Sequence, residues 1–353
     1  MTTTKPAMPT SAGRGLPGGQ EEVRQHLGAL LRSATTTSDE RWRRWCDDLV
    51  RPGHLTPQLL SGWWQAVLDF DPALAEHAAN PVPVPSGTIV VAGSGKEVFK
   101  TFNVSTAAAI LAAAAGTPVV KGVSGSVSAV SGAADVLAVL GVSTVSWAGE
   151  IPDALASQGI AFVAYPVFCP AYAARYDGVF DAINPASFLM PVAAMAVRAS
   201  GFVFGLARPE VDLSARVLRL IRPNLTHGVV VCADLSRGEF VDEFSQVGTT
   251  LIARSVPDGV TVSAATNHPP TAEWRERVAQ RPTHERNAAM VVQALSAGAD
   301  TPCTQLVEHN AALIVATAEP GRTSFPAAID RVREVRVSGR AIGLLRLLTA
   351  PRR

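Results

Sequence analysis

Gly93-Ser94-Gly95-Lys96-Glu97-Val98-Phe99-Lys100-Thr101-Phe102-Asn103-Val104-Ser105-Thr106 is the stretch of this chain best equipped for chemistry. It follows an apolar run, Thr88 to Ala92, of the kind that forms a buried strand. It precedes Ala107 to Ala115, whose alanines and leucine favour helix. A glycine-bearing loop therefore joins a strand to a helix, with Asn103, Ser105 and Thr106 at the helix start. Glycines let a backbone pass close to a ligand. The free amides and positive dipole end of a helix attract an anion. Together these features make a place to hold phosphate. The glycine and lysine spacings match neither a P-loop nor a dinucleotide fingerprint.

The longer spacing Gly-x-Gly-x-x-x-x-x-Thr-Phe-Asn-x-Ser-Thr is more specific, and it resembles the signature of the anthranilate phosphoribosyltransferases, Gly-Thr-Gly-Gly-Asp-Gly-x-x-Thr-Phe-Asn-x-Ser-Thr. Gly93, Gly95, Thr101, Phe102, Asn103, Ser105 and Thr106 match it. Ser94 stands for the threonine, and Lys96, Glu97 and Val98 stand for Gly-Asp-Gly. The resemblance continues through Val119-Val120-Lys121 and the segment from Ser131 to Gly141. It reappears at Asp242-Glu243 and at Asn310-Ala-Ala-Leu-Ile-Val, and closes with a final helix ending Ser338-Gly-Arg-Ala. It covers most of residues 40–350.

The resemblance implies transfer from 5-phosphoribosyl 1-pyrophosphate, a reaction that needs no protein nucleophile. Positive charge develops on the ribose and negative charge on the leaving pyrophosphate. The protein must grip phosphates, neutralise the leaving group with Mg2+ and position an acceptor. Gly93, Ser94, Gly95, Thr101, Asn103, Ser105, Thr106 and Lys121 are the expected donor-binding residues, and the family's use of a matching serine adds Ser128. Ser126 and Ser131 belong to the same hydroxyl-rich loop. Asp242 and Glu243 match the family's metal-binding pair, and hard carboxylate oxygens suit magnesium. Ser105 shares the metal in the resembled family. Glu239 is a nearby acid without such a match.

The acceptor half departs from the family. Lys121 is followed by Gly122-Val123-Ser124-Gly125 where the family has His-Gly-Asn-Arg. A later His-Pro-Ala becomes Cys169-Pro170-Ala171. Counted on without gaps, the family arginine that meets the anthranilate carboxylate falls at Val179. A site built to hydrogen-bond a polar group discriminates strongly, so the loss of those groups predicts a changed specificity. Gly122, Ser124, Tyr172, Tyr176 and Val179 are the expected acceptor pocket, with Glu97 or Asp177 as the base for the attacking group. The expectation is a phosphoribosyltransferase whose acceptor is a polar hydroxyl- or amine-bearing molecule other than anthranilate. Anthranilate phosphoribosyl transfer itself is the alternative. A catalytically silent relative that binds nucleic acid or a regulatory ligand is disfavoured by the intact acidic pair. A pyrimidine nucleoside phosphorylase is disfavoured by the missing glycine-lysine-serine run.

Positioning these residues requires a large frame, and 353 residues supply it. A hydrophobic share of 47% places the chain among globular proteins, and a net charge of +1 argues against a broad nucleic-acid footprint. No apolar run reaches membrane-spanning length. Residues 1–19 read as a flexible tail without a signal-peptide core. Four scattered cysteines form no metal spacing and fit a reducing cytoplasm. Residues 20–80 read as a helical domain, completed by a segment near 166–195. Ser38 is the expected cap of its second helix and Pro57 opens the third. Trp42, Trp45, Trp63 and Trp64 fall there, as core or subunit contact, and the resemblance implies a homodimer through these helices. Beyond a proline-rich connector, residues 85–353 alternate strand and helix patterns. Strands are predicted at Thr88–Ala92, Pro118–Lys121, Ile160–Tyr165, Phe202–Leu206 and Gly228–Cys232. The fold class is α/β: a small N-terminal helical domain and a large domain on a mainly parallel sheet, of the nucleoside phosphorylase/phosphoribosyltransferase type. Ligands in such sheets collect at the carboxyl ends of the strands. No repeat is visible, and the histidines form no ligand pattern.

Overall fold

The computed structural model describes residues 18–125, 130–236 and 238–350. Four helices come first: α1 (Gln20–Leu31), α2 (Thr36–Leu49), α3 (Pro57–Phe70) and α4 (Pro72–Ala79). Thr56 caps α3 by accepting from the Leu59 N–H, with Pro57 in the first turn. The cap of α2 differs from the expected one. Thr35 is the N-cap, and Ser38, three residues on, answers it in a reciprocal capping box. Either hydroxyl can cap a helix, and here each accepts from the other's backbone N–H.

The rest of the chain winds around one sheet. In order it runs β1 (Ile89–Gly93), α5 (Val104–Ala114), β2 (Val119–Val123), α6 (Ala133–Leu140), α7 (Ile151–Gln158), β3 (Ile160–Ala164), α8 (Pro170–Tyr176), α9 (Met190–Ala193), β4 (Gly201–Gly205) and α10 (Val211–Ile221). Then follow β5 (His227–Asp234), β6 (Phe240–Val241), β7 (Thr249–Val256), β8 (Gly259–Thr266), α11 (Ala272–Val278), α12 (His284–Leu295), α13 (Pro302–Ala318), α14 (Phe325–Val337) and α15 (Arg340–Leu348). The strand order is β3-β2-β1-β4-β5-β7-β8, with β6 beside β5. The first five strands are mutually parallel, as the alternation of strand and helix implies, and β6, β7 and β8 add antiparallel pairs. The final helix does not end at Ser338-Gly-Arg-Ala. Gly339, in a left-handed turn, separates α14 from α15.

Neighbouring side chains on a strand point to opposite faces, so the sheet feeds two cores. Val90 and Ala92 of β1 join a cluster with α1, α2, α3 and α10. Ile89 and Val91 join another with α5, α12 and α13. Trp42, Trp63 and Trp64 are buried within the first cluster, and Trp45 stacks on Trp63. Helix α8 is fastened to the N-terminal helices by polar bonds. Arg175 reaches Asp39 (2.6 Å) and the carbonyls of Leu30 and Ser33, and the Tyr172 N–H donates to the buried Asp71 (2.8 Å). Among the described residues no helix is long and apolar enough to cross a membrane.

Candidate active site

At the carboxyl ends of β1 and β2 lies a cavity of about 270 Å³. It brings together residues far apart in sequence: Gly93 to Glu97, Thr101, Asn103, Ser105, Thr106, Lys121, Gly122, Ser124, Tyr172, Tyr176, Asp177, Asp242 and Glu243. Asp242 and Glu243 thus sit at the same strand ends as the glycine loop. Among the described residues, one of those expected is missing from this wall. Val179 is buried in the first core cluster, where its carbonyl accepts from Arg43 Nε (2.6 Å). Ungapped counting into a segment that turns back on the helices carried it away from the cavity. Ser128, with Ser126, lies outside the described residues.

The close approach of Asp242 explains the glycines. Gly93 of β1 and Gly205 of β4 stand opposite one another in register. A β-carbon on Gly205 would sit 1.8 Å from the Asp242 carbonyl oxygen, and one on Gly93 would sit 2.5 Å from Asp242 Oδ2. The glycine read as making room for phosphate makes room for the acidic segment. Gly95 has φ +59°, the left-handed region open to glycine, and its N–H donates to Asp242 Oδ2 (3.2 Å). Ser94 ties the loop to β4: its N–H donates to the Gly205 carbonyl (2.8 Å), and its hydroxyl accepts from Ala207 N–H (2.9 Å).

Thr101 acts on the acidic pair, a role missed from sequence: its hydroxyl donates to Glu243 Oε1 (2.6 Å). Glu243 Oε2 is buried without a partner. Burial, then the charges of Glu97 and Glu243, push the Asp242 carboxyl well above its ordinary range. Burial and Glu97 push Glu243 up as well, against the Thr101 hydrogen bond. Lys121 bears on Asp242 and Lys100 on Glu243, yet burial and mutual repulsion still hold both carboxyls high, and a divalent cation would relieve that repulsion. Among the described residues no three histidine, cysteine or acidic side chains converge to hold a metal alone. Two adjacent carboxylates suit magnesium, which takes one or two and completes its shell with phosphates and water. Glu97, expected as a base, stands on this side of the cavity, paired with Lys100 (3.0 Å). Glu239 pairs with Arg275 instead (2.5 Å).

Two further polar groups are aimed without partners. Asn103 stands at the N-cap of α5 but makes no capping bond, and its Oδ1 is buried unpartnered, as is the Thr106 hydroxyl. Lys121 is buried inside β2, which runs on past it to Val123, so it is not the strand's last residue. Among the described residues its ammonium donates to the Gly122 carbonyl (2.7 Å). Burial drives its pKa down to about 8, with Asp242 opposing. An anion at the start of α5 would accept from the Thr106 hydroxyl and from the Lys121 ammonium, whereas Asn103 Oδ1, an acceptor, calls for a donor or a cation. Gln280, unmarked in sequence, also lines the cavity and clamps the segment at 130–131 by accepting from Val130 N–H and donating to the Ser131 carbonyl. Asn287 supports it by bonding Ser131, Arg281 and Thr283, a structural role.

On the other wall Tyr172 and Tyr176 of α8 stack at 5.2 Å, and Tyr176 stacks on Phe180 at 5.3 Å. Asp177 follows Tyr176 and accepts from the Tyr165 hydroxyl. Gly122 and Ser124 line the cavity between the walls.

A glycine-bearing loop, a buried lysine and an acidic pair thus line one cavity at the ends of a parallel sheet. The family model described as "Glycosyl transferase family, a/b domain" matches residues 87–342. The anthranilate phosphoribosyltransferase of Leifsonia xyli subsp. xyli is 31% identical, with 76% of each chain covered. That of Rhodospirillum rubrum is 28% identical over 77% of this chain and 80% of its own. The solved anthranilate phosphoribosyltransferase of Thermus thermophilus superposes with a TM-score of 0.73 at 22% identity, covering 94% of both chains. The Saccharomyces cerevisiae enzyme in complex with PRPP and Mg gives 0.71 at 19% identity, over 94% of this chain and 92% of that one. At those identities the structures establish the fold. The chain belongs to the anthranilate phosphoribosyltransferase family, and it is an enzyme of the pentosyltransferase type. The expectation of an acceptor other than anthranilate is corrected here: the relatives in sequence and in structure are anthranilate phosphoribosyltransferases.

Proposed function

We propose that this protein transfers the 5-phosphoribosyl group of phosphoribosyl pyrophosphate to the amino nitrogen of anthranilate. The observation that carries the proposal is the single cavity in which the unpartnered Asn103, Thr106 and Glu243 atoms meet Lys121 and Asp242. The start of α5, with Asn103, Ser105 and Thr106, takes a phosphate, and Lys121 neutralises the same end. Asp242, Glu243 and Ser105 are the residues that would hold Mg2+, whose charge offsets that of the departing pyrophosphate. The anthranilate nitrogen bonds to C1 of the ribose as the C1–oxygen bond to pyrophosphate breaks. The nitrogen's proton passes to Asp177, which faces the acceptor wall and is held by Tyr165. Glu97, drawn into the acidic cluster, positions that cluster instead. Pairing of two copies through the N-terminal helices, the division of the chain into a helical and an α/β domain, and a cytoplasmic home belong to the same reading and rest on sequence and resemblance.

The test is direct. Purified protein with phosphoribosyl pyrophosphate, Mg2+ and anthranilate is expected to release pyrophosphate and phosphoribosylanthranilate in equal amounts, and to stop on chelation of the metal. Absence of product at saturating substrates would refute the proposal.

A further inference from the structure

An aromatic carboxylate needs a cation, and the described lining of the cavity holds no arginine or histidine. It holds three lysines. Lys121 lies toward Asp242, and Lys100 is paired with Glu97. Lys96 is different. Its Nζ lies 3.0 Å from the Tyr176 hydroxyl, 5.3 Å from the centre of the Tyr176 ring and 5.9 Å from that of Phe180. Among the described residues no carboxylate forms an ion pair with it.

Its backbone is as unusual as its surroundings. Lys96 has φ +67°, directly after Gly95 at +59°. For a residue with a β-carbon the left-handed region costs on the order of 1–2 kcal/mol, and such placements gather at functional sites. The turn lays a long cationic side chain against the stacked rings of the acceptor wall, half-buried. The Tyr176 hydroxyl also accepts from Asn184 Nδ2 (2.8 Å), so it is held in place with both bonds coming from donors. Asp181 and Asp177 act on it only from beyond ion-pair contact, and a cation set against an aromatic face with one neutral hydrogen bond keeps capacity for an anion.

We infer that Lys96 is the specificity-determining residue that binds the acceptor's carboxylate, the acceptor's ring lying against the Tyr172–Tyr176 wall. The inference rests on the functional reading above and adds the group that recognises the acid. It also explains how the acceptor half works with Val179 withdrawn into the core: the positive charge enters from the glycine loop, not from the segment after α8.

Two variants separate charge from support. Lys96→Gln keeps a donor within reach of the Tyr176 hydroxyl and removes the charge, and Lys96→Arg restores the charge. Initial rates with anthranilate and with its neutral amide, 2-aminobenzamide, give the preference for the acid. Loss of one charge-assisted contact predicts that Lys96→Gln lowers this preference by about 10- to 100-fold, chiefly through KM for anthranilate, with KM for phosphoribosyl pyrophosphate altered by no more than about twofold. Lys96→Arg recovers part of it. An unchanged preference, or an equal loss on both acceptors, would overturn the inference. Calorimetric binding of benzoate to the wild type and Lys96→Gln distinguishes the two readings. If the wild type turns over no anthranilate yet binds benzoate through Lys96, the functional reading fails and the carboxylate site stands. If benzoate binds both proteins equally, the carboxylate site fails.

Discussion

Replacing Lys121 by methionine should stabilise the ligand-free protein at pH 7, although it removes a residue assigned to substrate. The ammonium is buried in β2, where it donates to the Gly122 carbonyl. Its pKa falls from 10.5 to about 8, through burial. A tenfold change in acidity is worth about 1.4 kcal/mol, so keeping the charge inside at pH 7 costs the folded state about 3 kcal/mol. Methionine fills nearly the same volume without charge, and loses the bond to the Gly122 carbonyl, worth about 1 kcal/mol. The net gain at pH 7 is about 2 kcal/mol.

The pH dependence carries the sign. Below pH 8 both the folded and the unfolded lysine are protonated and the wild type bears the whole cost. Between pH 8 and 10.5 the folded lysine has given up its proton while the unfolded one retains it, so the wild type gains stability relative to the variant. By pH 10 the advantage of Lys121→Met should have shrunk to near zero or reversed. Urea unfolding of both proteins from pH 7 to 10 measures this directly, and phosphoribosyl pyrophosphate should raise the midpoint of the wild type far more than that of the variant. A variant less stable than the wild type by the same margin at pH 7 and pH 10 would refute the reasoning, because the lysine would then be a packing element and not a stored charge.

Gly205→Ala would drive a β-carbon into the Asp242 carbonyl, 1.8 Å away. It should cost about 1–3 kcal/mol in urea unfolding and remove the stimulation of activity by Mg2+ titration, since Asp242 and Glu243 move together. Burial holds the Glu243 carboxyl above its ordinary range, so metal-free protein should lose stability as pH climbs through the carboxylate range, where the unfolded glutamate ionises first. Glu243→Gln should flatten that slope, as read by melting temperature from pH 4.5 to 8 in chelator.

The sequence displayed the donor half because its groups lie on, or in the short segments next to, elements that the apolar pattern reveals. Five apolar runs became the five parallel strands within a few residues, and their carboxyl ends defined the rim where Gly93 and Asp242 meet. The antiparallel strands β7 and β8 escaped notice. The residues of β8 are largely exposed and rich in serine, threonine and alanine, so no apolar run announces them. The signal that was present is Asp258-Gly259, a hairpin dipeptide between two strands that are joined by Pro257 and Asp258 alone. Gly205 and Gln280 were invisible for another reason: each matters only through a partner far away in the chain, Asp242 for one and Ser131 for the other. Lys96 stood in plain view inside the motif. There it counted as a departure from Gly-Asp-Gly, and only its left-handed backbone and its approach to Tyr176 give it a role.

The two halves of the site rest on different supports, and that difference accounts for how unequally they have changed. The residues assigned to the donor sit on β1, β2, the start of α5 and the loop between β1 and α5, which the sheet register and the Gly93–Gly205 pair hold at its strand end. Moving one of them disturbs the others, because the acidic pair packs on the glycines. The acceptor wall belongs to α8, which is positioned from behind by Arg175 on Asp39 and by Asp71 on the Tyr172 amide. Those anchors lie on the side away from the cavity. Side chains on the cavity side can therefore be exchanged without disturbing the packing of Asp242 on Gly93 and Gly205. Retention of the donor motif together with replacement of the residues after Lys121 and around Val179 is what such a division of labour permits.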